Sequence, residues 1–296
     1  MLFTLLAVSV AGFIGQLVDG SLGMGYGVTS TSVLLAVGLT PAIASASVHL
    51  AEIGTSLASG ASHWRYGNVD RGVLIRLAIP GGIGAFVGAV VLSHLSLDVA
   101  RPWVSVVLLL LGGVILYRFV RARRSVPASG PARAGMLIPL GLVGGFLDAS
   151  GGGGWGPVTT STLTASRRLE PRRAIGTVSA SEFVVSVAAS VGFLVALGQA
   201  GIRWDIAGAM LVGGVIAAPI AAALVQRFDQ KALGAAIGVT IVILNLDRVI
   251  SLVGIDPSIG ILARVTALLA GVLTVGVLLL RGRTAEAEGV TVAAPS

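Results

Sequence analysis

The chain has 296 residues, of which 55% are hydrophobic and 11% are charged. Soluble domains carry roughly 25% charged residues, so this composition excludes a mainly soluble domain and predicts a multi-pass α-helical protein of a plasma (inner) membrane. There is no cysteine, which excludes disulfides and thiolate chemistry, and the net charge of +7 lies in short segments between apolar stretches, which argues against a nucleic-acid partner.

The first apolar region, residues 2–38, is predicted to form two half-helices, because glycines interrupt it between Asp19 and Gly27. Its beginning lacks a basic residue and runs directly into this motif, so we interpret it as a retained membrane segment rather than a cleaved signal. Full-length apolar stretches follow, and each is long enough to cross a bilayer as a helix. They are residues 42–63, 72–93 and 102–120.

A second glycine-interrupted region, residues 135–166, follows a basic segment and is broken between Asp148 and Gly156. Further full-length spans follow it at 174–197, 205–226, 232–250 and 259–280, which gives seven predicted spans. We divide the chain into a first membrane repeat (1–120), a basic cytoplasmic linker (121–134), a second membrane repeat with an additional last helix (135–280) and a loose C-terminal tail (281–296).

The two glycine-interrupted regions are copies of one another. A shift of 129 residues, or 130 beyond one extra residue in the second copy, aligns residues of the same type in the same order. The aligned pairs include Asp19 with Asp148, Gly23 with Gly152, Gly25 with Gly154, Tyr26 with Trp155, Gly27 with Gly156, Pro41 with Pro171 and Glu52 with Glu182. Such an ordered set indicates an internal duplication.

The positions of lysine and arginine predict how the copies lie in the membrane. Basic residues flank 135–166 on both sides, and cytoplasmic loops carry the Lys/Arg excess, so this region is predicted to enter and leave on the cytoplasmic face as a re-entrant helix pair. Counting from this anchor places only Arg101, Arg203, Arg248 and Arg264 outside. The first broken region then enters from the opposite face. The fold class is an all-α bundle of two inverted repeats, with the N-terminus outside and the C-terminus cytoplasmic.

The half-helices predict an anion site near the membrane midplane. A helix that begins there exposes unpaired N–H groups and a partial positive charge, and nearby hydroxyls add donors for an oxyanion. The predicted substrate-binding residues are Gly23, Gly25, Gly27, Thr29, Ser30, Thr31, Gly152, Gly154, Gly156, Thr159, Thr160 and Ser161. The alternative is that these glycines only permit tight helix packing.

Four acidic residues lie within apolar segments, where ionisable side chains are costly and usually functional. Either Glu52 or Glu182 is predicted to carry a coupling proton, whereas Asp19 and Asp148 are equally well explained as caps of the half-helices. The glutamates could also serve only as backbone partners. His49, one turn before Glu52, is interpreted as a proton relay or a structural donor.

Signals for an enzyme are missing from the sequence. The glycines at 151–154 are not followed by the Lys-Ser/Thr of a phosphate-binding loop, and no His-Glu-x-x-His, Gly-x-Ser-x-Gly or Cys-His arrangement occurs. We predict no enzymatic activity, no cofactor and no metal.

The paired Gly/Asp-rich openings, each followed by a Ser/Thr stretch, a proline and a helix bearing glutamate, resemble the TauE/SafE family of sulfite exporters, also called the 4-toluene sulfonate uptake permease family. The resemblance spans about residues 5–280. It implies a transporter of sulfite, sulfonates or related organic anions, which agrees with the anion site predicted above. We therefore expect a secondary transporter, an exporter using alternating access with possible proton coupling, whose partners are a small anion and the lipid bilayer. The alternatives are a passive anion channel and a non-transporting membrane assembly or anchoring protein, and the oligomeric state is left open.

Overall fold

The computed structural model describes residues 2–121, 133–166, 168–224, 230–252, 254 and 257–291. These residues form helices and helical turns, with no strand among them. Six of the described helices are long and apolar enough to cross a membrane. The structure therefore confirms the prediction of a multi-pass all-α protein. The linker predicted at 121–134 falls almost entirely outside the described residues.

The first half of the chain forms five helices. They are α1 (Leu2–Leu22), α2 (Tyr26–Ala36), α3 (Pro41–Arg65), α4 (Arg71–His94) and α5 (Leu97–Val120). Proline occupies the first turn of α3, where its missing N–H removes no hydrogen bond. Asp70 caps α4 by accepting a hydrogen bond from the N–H of Val73 at 3.0 Å. The three predicted spans of this half lie within α3, α4 and α5.

The second half repeats this order and adds one helix. Its elements are α6 (Ala134–Gly151), a π-helical turn (Gly156–Thr160), α7 (Ser161–Ala165), α8 (Pro171–Leu197), a 3-10 turn (Gln199–Gly201), α9 (Trp204–Leu224), α10 (Gln230–Leu252) and α11 (Pro257–Thr291). The additional helix α11 packs against α10 and exposes most of its apolar side chains, as expected for a helix that faces lipid. It continues helically to Thr291, so the part of the tail predicted from residue 281 that the structure describes is helical rather than loose.

The long apolar helices differ from the predicted spans at three places. α3 has sufficient length, but its serines, His49 and Glu52 lower its mean hydropathy below that of the six membrane-spanning candidates. α6 has the length and composition of a span although the sequence predicts it to be half of a broken pair. In α9 the described apolar part, Trp204–Ala217, is shorter than a full span.

The most extensive contacts between helices join the two halves. α1 packs on α9 and α4 packs on α6, while α3 packs on α8 and α5 on α10. Glycine permits two of these approaches, since a Cβ at Gly12 would lie 2.3 Å from the carbonyl oxygen of Met210 and one at Gly145 would lie 2.0 Å from that of Gly81. The halves are therefore interlocked rather than side by side.

Candidate functional site at the two helix breaks

Both glycine-interrupted regions are broken helices. α1 ends at Leu22 and α2 begins at Tyr26, while α6 ends at Gly151 and the chain becomes helical again at Gly156. Positive φ angles turn the backbone at each break. They are 68° at Gly23, 111° at Gly25, 79° at Gly152 and 132° at Gly153. The prediction that neither region is one continuous helix is confirmed.

The two breaks lie against each other. A Cβ at Gly27 would lie 2.8 Å from the Cα of Gly153, and one at Gly153 would lie 2.2 Å from the backbone nitrogen of Val28. A Cβ at Gly156 would similarly lie 2.8 Å from the Cβ of Met24. No side chain fits between these backbones, so glycine is required here for close approach of the two breaks.

Asp148 caps the second break. Its Oδ1 accepts hydrogen bonds from the N–H groups of Gly154 at 2.6 Å and Trp155 at 2.9 Å. The Trp155 ring is fully buried and donates from Nε1 to the carbonyl oxygen of Val178 at 3.2 Å. In this structure the Gly154 amide that the sequence assigns to substrate is thus bonded to Asp148, as in the alternative in which the aspartates act as caps.

Asp19 makes the equivalent contact at the first break. Its carboxylate accepts a hydrogen bond from the backbone of Tyr26, the residue aligned with Trp155. Unlike Asp148, which is buried, Asp19 is partly accessible. Each break is therefore tied to an aspartate of the preceding helix, but the second aspartate is held by more contacts.

His49 joins the second break to α3. Its Nδ1 lies 2.8 Å from the carbonyl oxygen of Ser45, and because a carbonyl only accepts, Nδ1 carries a hydrogen. Its Nε2 faces Oδ2 of Asp148 at 3.2 Å and Oε2 of Glu52 at 4.0 Å. A hydrogen bond between His49 and Asp148 thus requires one further proton on this pair, on either the ring or the carboxyl group.

The two glutamates lie in the same region. Glu52 is buried, and its Oε2 accepts a hydrogen bond from Ser186 at 3.4 Å. Its Oε1 has no hydrogen-bond partner among the described residues and would lie 3.1 Å from a Cβ at Gly27. Glu182 is partly accessible and interacts electrostatically with Asp19 and Asp148. The structure therefore brings all four predicted acids together around the breaks.

The predicted hydroxyl donors divide into two sets. Thr159 donates to the carbonyl oxygen of Trp155, and Ser161 accepts from Nη1 of Arg118 at 3.3 Å. The other hydroxyls are buried and have no hydrogen-bond partner within the described part of the chain. They belong to Thr29, Ser30, Thr31 and Thr160. Since buried polar groups are nearly always hydrogen-bonded, this second set is suited to a ligand.

The same region offers ligand atoms for a cation. Atoms of His49, Glu52 and Asp148 all lie within 4.8 Å of one another. A small cation or a shared proton would both reduce repulsion between the two carboxylates. The expectation that the chain binds no metal stays a prediction.

Sequence reasoning missed three polar partners of the breaks. Arg118 was used only as a topology signal, Ser186 was not selected, and Asn245, which donates to Ser32 at 3.0 Å, was not selected either. Only Arg118 had a usable signal, because a shift of 130 residues aligns it with Arg248 and thus marks a repeated arginine within an apolar helix.

Comparison with known proteins gives two matches. The family described as Sulfite exporter TauE/SafE matches residues 8–247. The chain is also 50% identical over 249 residues to a protein of Bacillus subtilis (strain 168) named "Probable membrane transporter protein YtnM", an alignment that covers 83% of each chain. No solved structure matches the chain.

Proposed function

The chain belongs to the sulfite exporter TauE/SafE family and is a membrane transporter, and we propose that it carries small anions through the contact between its two helix breaks. The substrate class is sulfite, sulfonates or related organic anions. We further propose secondary transport by alternating access, in the direction of export across the plasma membrane.

The observation that carries this proposal is the set of buried hydroxyls without partners beside two helix beginnings. Thr29 is the fourth residue of α2, and its N–H bonds to the carbonyl oxygen of Gly25 at 3.0 Å. The N–H groups of Gly27 and Val28 precede this bond and therefore lack a carbonyl within the helix. Amide and hydroxyl donors without acceptors, at the positive end of a helix, favour an oxyanion.

The proposed topology is a pair of re-entrant, inverted repeats. A Cβ at Gly15 would lie 2.4 Å from Oγ of Ser30, a proximity that supports α2 folding back along α1. Helix pairing supports inversion, because α1 packs on α9 as its counterpart α6 packs on α4. In this proposal the N-terminus lies outside, the C-terminus lies in the cytoplasm, and the breaks meet near the midplane.

The proposed coupling groups are Glu52 and Glu182. Glu52 supports this role because its unpartnered Oε1 faces Gly27 at the first break while His49 and Ser186 lie beside Oε2. A proton gained by a carboxyl group in this position would reduce repulsion against an anion bound at the breaks. Loading of the anion and of the proton would therefore favour each other.

Replacing both coupling acids in the variant Glu52→Gln/Glu182→Gln should abolish pH-dependent accumulation of anions in proteoliposomes. The matched control is Glu170→Gln, because Glu170 is exposed before α8 and makes no side-chain cap. Wild-type protein should also be stabilised against heat by sulfite, sulfonates or carboxylates, since a ligand stabilises the form that it binds.

Other outcomes would contradict this proposal in different ways. Unchanged pH dependence in the double variant would remove the glutamates from coupling. Flux without saturation or accumulation against a gradient would identify a channel, and no flux would identify an assembly or anchoring protein. Stabilisation by cations alone would end the anion assignment.

A further inference from the structure

Arg118 lies beside both helix breaks. It belongs to the apolar helix α5 and is only partly accessible. Its Nη1 lies 3.3 Å from Oγ of Ser161, which follows the second break, and 3.3 Å from Sδ of Met24, which lies in the first. Among the described residues no carboxylate lies within 4.0 Å of this guanidinium group. A cation inside an apolar helix, with a hydroxyl and a thioether as close neighbours, is suited to bind an anion.

Arg248 is linked in a similar way to the half-helix of the first break. Its Nη1 donates to Oδ1 of Asn245 at 3.1 Å, and Nδ2 of Asn245 donates to Oγ of Ser32 at 3.0 Å. Ser32 belongs to α2. A chain of hydrogen bonds therefore runs from Arg248 to the Ser/Thr stretch that follows the first break.

Arg248 also lines a cavity of about 400 Å³ at the C-terminal end of α2. Arg101 and Ser105 of α5 and Leu35 of α2 line the same cavity. Its volume falls within the roughly 300–1,000 Å³ that small-molecule sites occupy in proteins. Two guanidinium groups and a hydroxyl in the lining of one cavity supply the positive charge and the hydrogen-bond donors that an oxyanion requires.

The two arginines are equivalent positions of the repeat. A shift of 130 residues aligns Arg118 with Arg248, and a shift of 129 aligns Ser32 with Ser161. Each arginine therefore reaches the hydroxyl-bearing half-helix of the other half of the chain. In each case a residue of one half is linked to a half-helix of the other half, in the same way that α1 packs on α9 and α6 packs on α4.

Helix packing places these arginines at opposite ends of one helix pair. α5 and α10 run antiparallel, because Gly112 lies against Ile241 whereas Gly234 lies against Phe119. Arg118 is thus level with the beginning of α10, whereas Arg248 lies near the end of that helix. At about 1.5 Å per helical residue, the two positions are roughly 20 Å apart along the pair.

We propose that Arg118 and Arg248 form two further anion-binding sites, one toward each end of the transport pathway, which exchange the anion with the helix breaks between them. This inference rests on the proposed function and adds to it the residues that recruit the substrate on each side. With the topology proposed above, Arg118 serves the cytoplasmic face and Arg248, with Arg101, serves the outer face.

The test measures uptake of radiolabelled sulfite from each face separately, using right-side-out and inverted vesicles of cells that express the full chain. Arg118→Gln should raise the half-saturation concentration about tenfold in inverted vesicles, the expected loss for one charge-assisted hydrogen bond, and leave right-side-out vesicles unchanged. Arg248→Gln should do the reverse. The variants Arg118→Lys and Arg248→Lys, which keep the charge, should show smaller increases.

The matched control is Arg121→Gln. Arg121 lies three residues after Arg118, is exposed, and stacks on the ring of Tyr117 at 5.5 Å, so its loss should not change either constant. On the outer face the control is Arg203→Gln, because Arg203 is exposed and bonded to Asp205 at 2.7 Å. The thermal unfolding midpoint of each variant, measured in detergent, identifies any variant that fails to fold, and the lysine variant then replaces it.

If wild-type uptake is saturable but the half-saturation concentration is unchanged in both glutamine variants, the arginine sites are overturned and the proposed function remains intact. Equal increases from both faces in one variant would overturn them as well, because such a residue would act on the central site. A wild-type chain that carries none of the anions sulfite, sulfonates and carboxylates would refute the proposed function and this inference with it.

Discussion

The two helix breaks arise from one repeated motif but are held differently. At the second break Asp148 bonds two amides and faces His49, whereas at the first break Asp19 is partly accessible and bonds the backbone of Tyr26. The residue aligned with His49 in the second copy is Ser179. One substitution between the copies thus gives only the second break a link to a buried imidazole.

The duplication therefore repeats the backbone scaffold of the two breaks but not all of the side-chain contacts around them. The glycines and aspartates of both copies keep the backbone turns, while the aspartate of the second break alone has an imidazole partner. Under the alternating access proposed above, unequal breaks would allow one break to hold its shape while the other changes.

The largest difference in stability between the two breaks is expected when the aspartate that caps each break is replaced. Asp148→Ala leaves two buried amides and His49 without an acceptor, at a cost of roughly 2–4 kcal/mol, whereas Asp19→Ala should cost about 1 kcal/mol. Thermal unfolding in detergent should therefore show a much lower midpoint for Asp148→Ala. Asp148→Asn, which keeps an oxygen acceptor for the amides, is the control and should lose less. Equal losses at Asp19 and Asp148 would remove the distinction between the breaks.

A smaller difference in stability is expected for the glycines that follow the aspartates, and here the first break should be the more sensitive one. Gly25→Ala forces a non-glycine residue to φ 111° and should destabilise the protein by about 1–3 kcal/mol. Its aligned partner Gly154 lacks a positive φ, and a Cβ there would lie 3.3 Å from the nearest atom, the nitrogen of Asp148. Gly154→Ala should therefore remain within about 1 kcal/mol of the wild type. Unfolding midpoints test the pair, and a larger loss at Gly154 would contradict the described geometry.

The smallest effect on stability is expected at two aligned threonines whose hydroxyls have the same burial and bonding at both breaks. Thr31 and Thr160 are aligned, and both hydroxyls are buried without a partner in the described part of the chain. Thr31→Val and Thr160→Val remove an unsatisfied group, so stability should change by less than about 1 kcal/mol. The half-saturation concentration for anion uptake should nevertheless rise about threefold to tenfold.

The control for the hydroxyls is Thr164→Val. Thr164 already donates to the carbonyl oxygen of Thr160 at 2.5 Å, so this variant should leave anion uptake unchanged. If Thr31→Val and Thr160→Val also left uptake unchanged while lowering the unfolding midpoint, these hydroxyls would be structural rather than ligand-binding groups.

The sequence was sufficient to locate the breaks and most helices. Glycine clusters cannot continue a helix through Asp19 to Gly27 or Asp148 to Gly156, and the duplicated order of residues identified matching positions. Apolar length identified α4, α5, α8, α10 and α11 as membrane helices. These features are local, because each depends on neighbouring residues alone.

The contacts between helices could not be predicted in the same way. α4 is apolar on all sides, so no face of it indicates a partner, and nothing in the sequence indicates that it packs on α6 and α8. The bond between His49 and Asp148 and the position of Arg118 beside Met24 depend on such packing. Thr159, which is bonded, and Thr160, which is not, both lie in a π-helical turn that residue type does not indicate.

The exchanged packing of α1 with α9 and of α6 with α4 also constrains how the chain matures during synthesis. α1 is made first, yet the backbone against which Gly12 packs belongs to Met210 and is made much later. Until then the face of α1 that carries Gly12 lacks its final neighbour in the bilayer, and α4 likewise lacks α6. The final arrangement of both breaks is therefore reached only after translation of α9, so a chain truncated before α9 should be inserted but lack an assembled pathway.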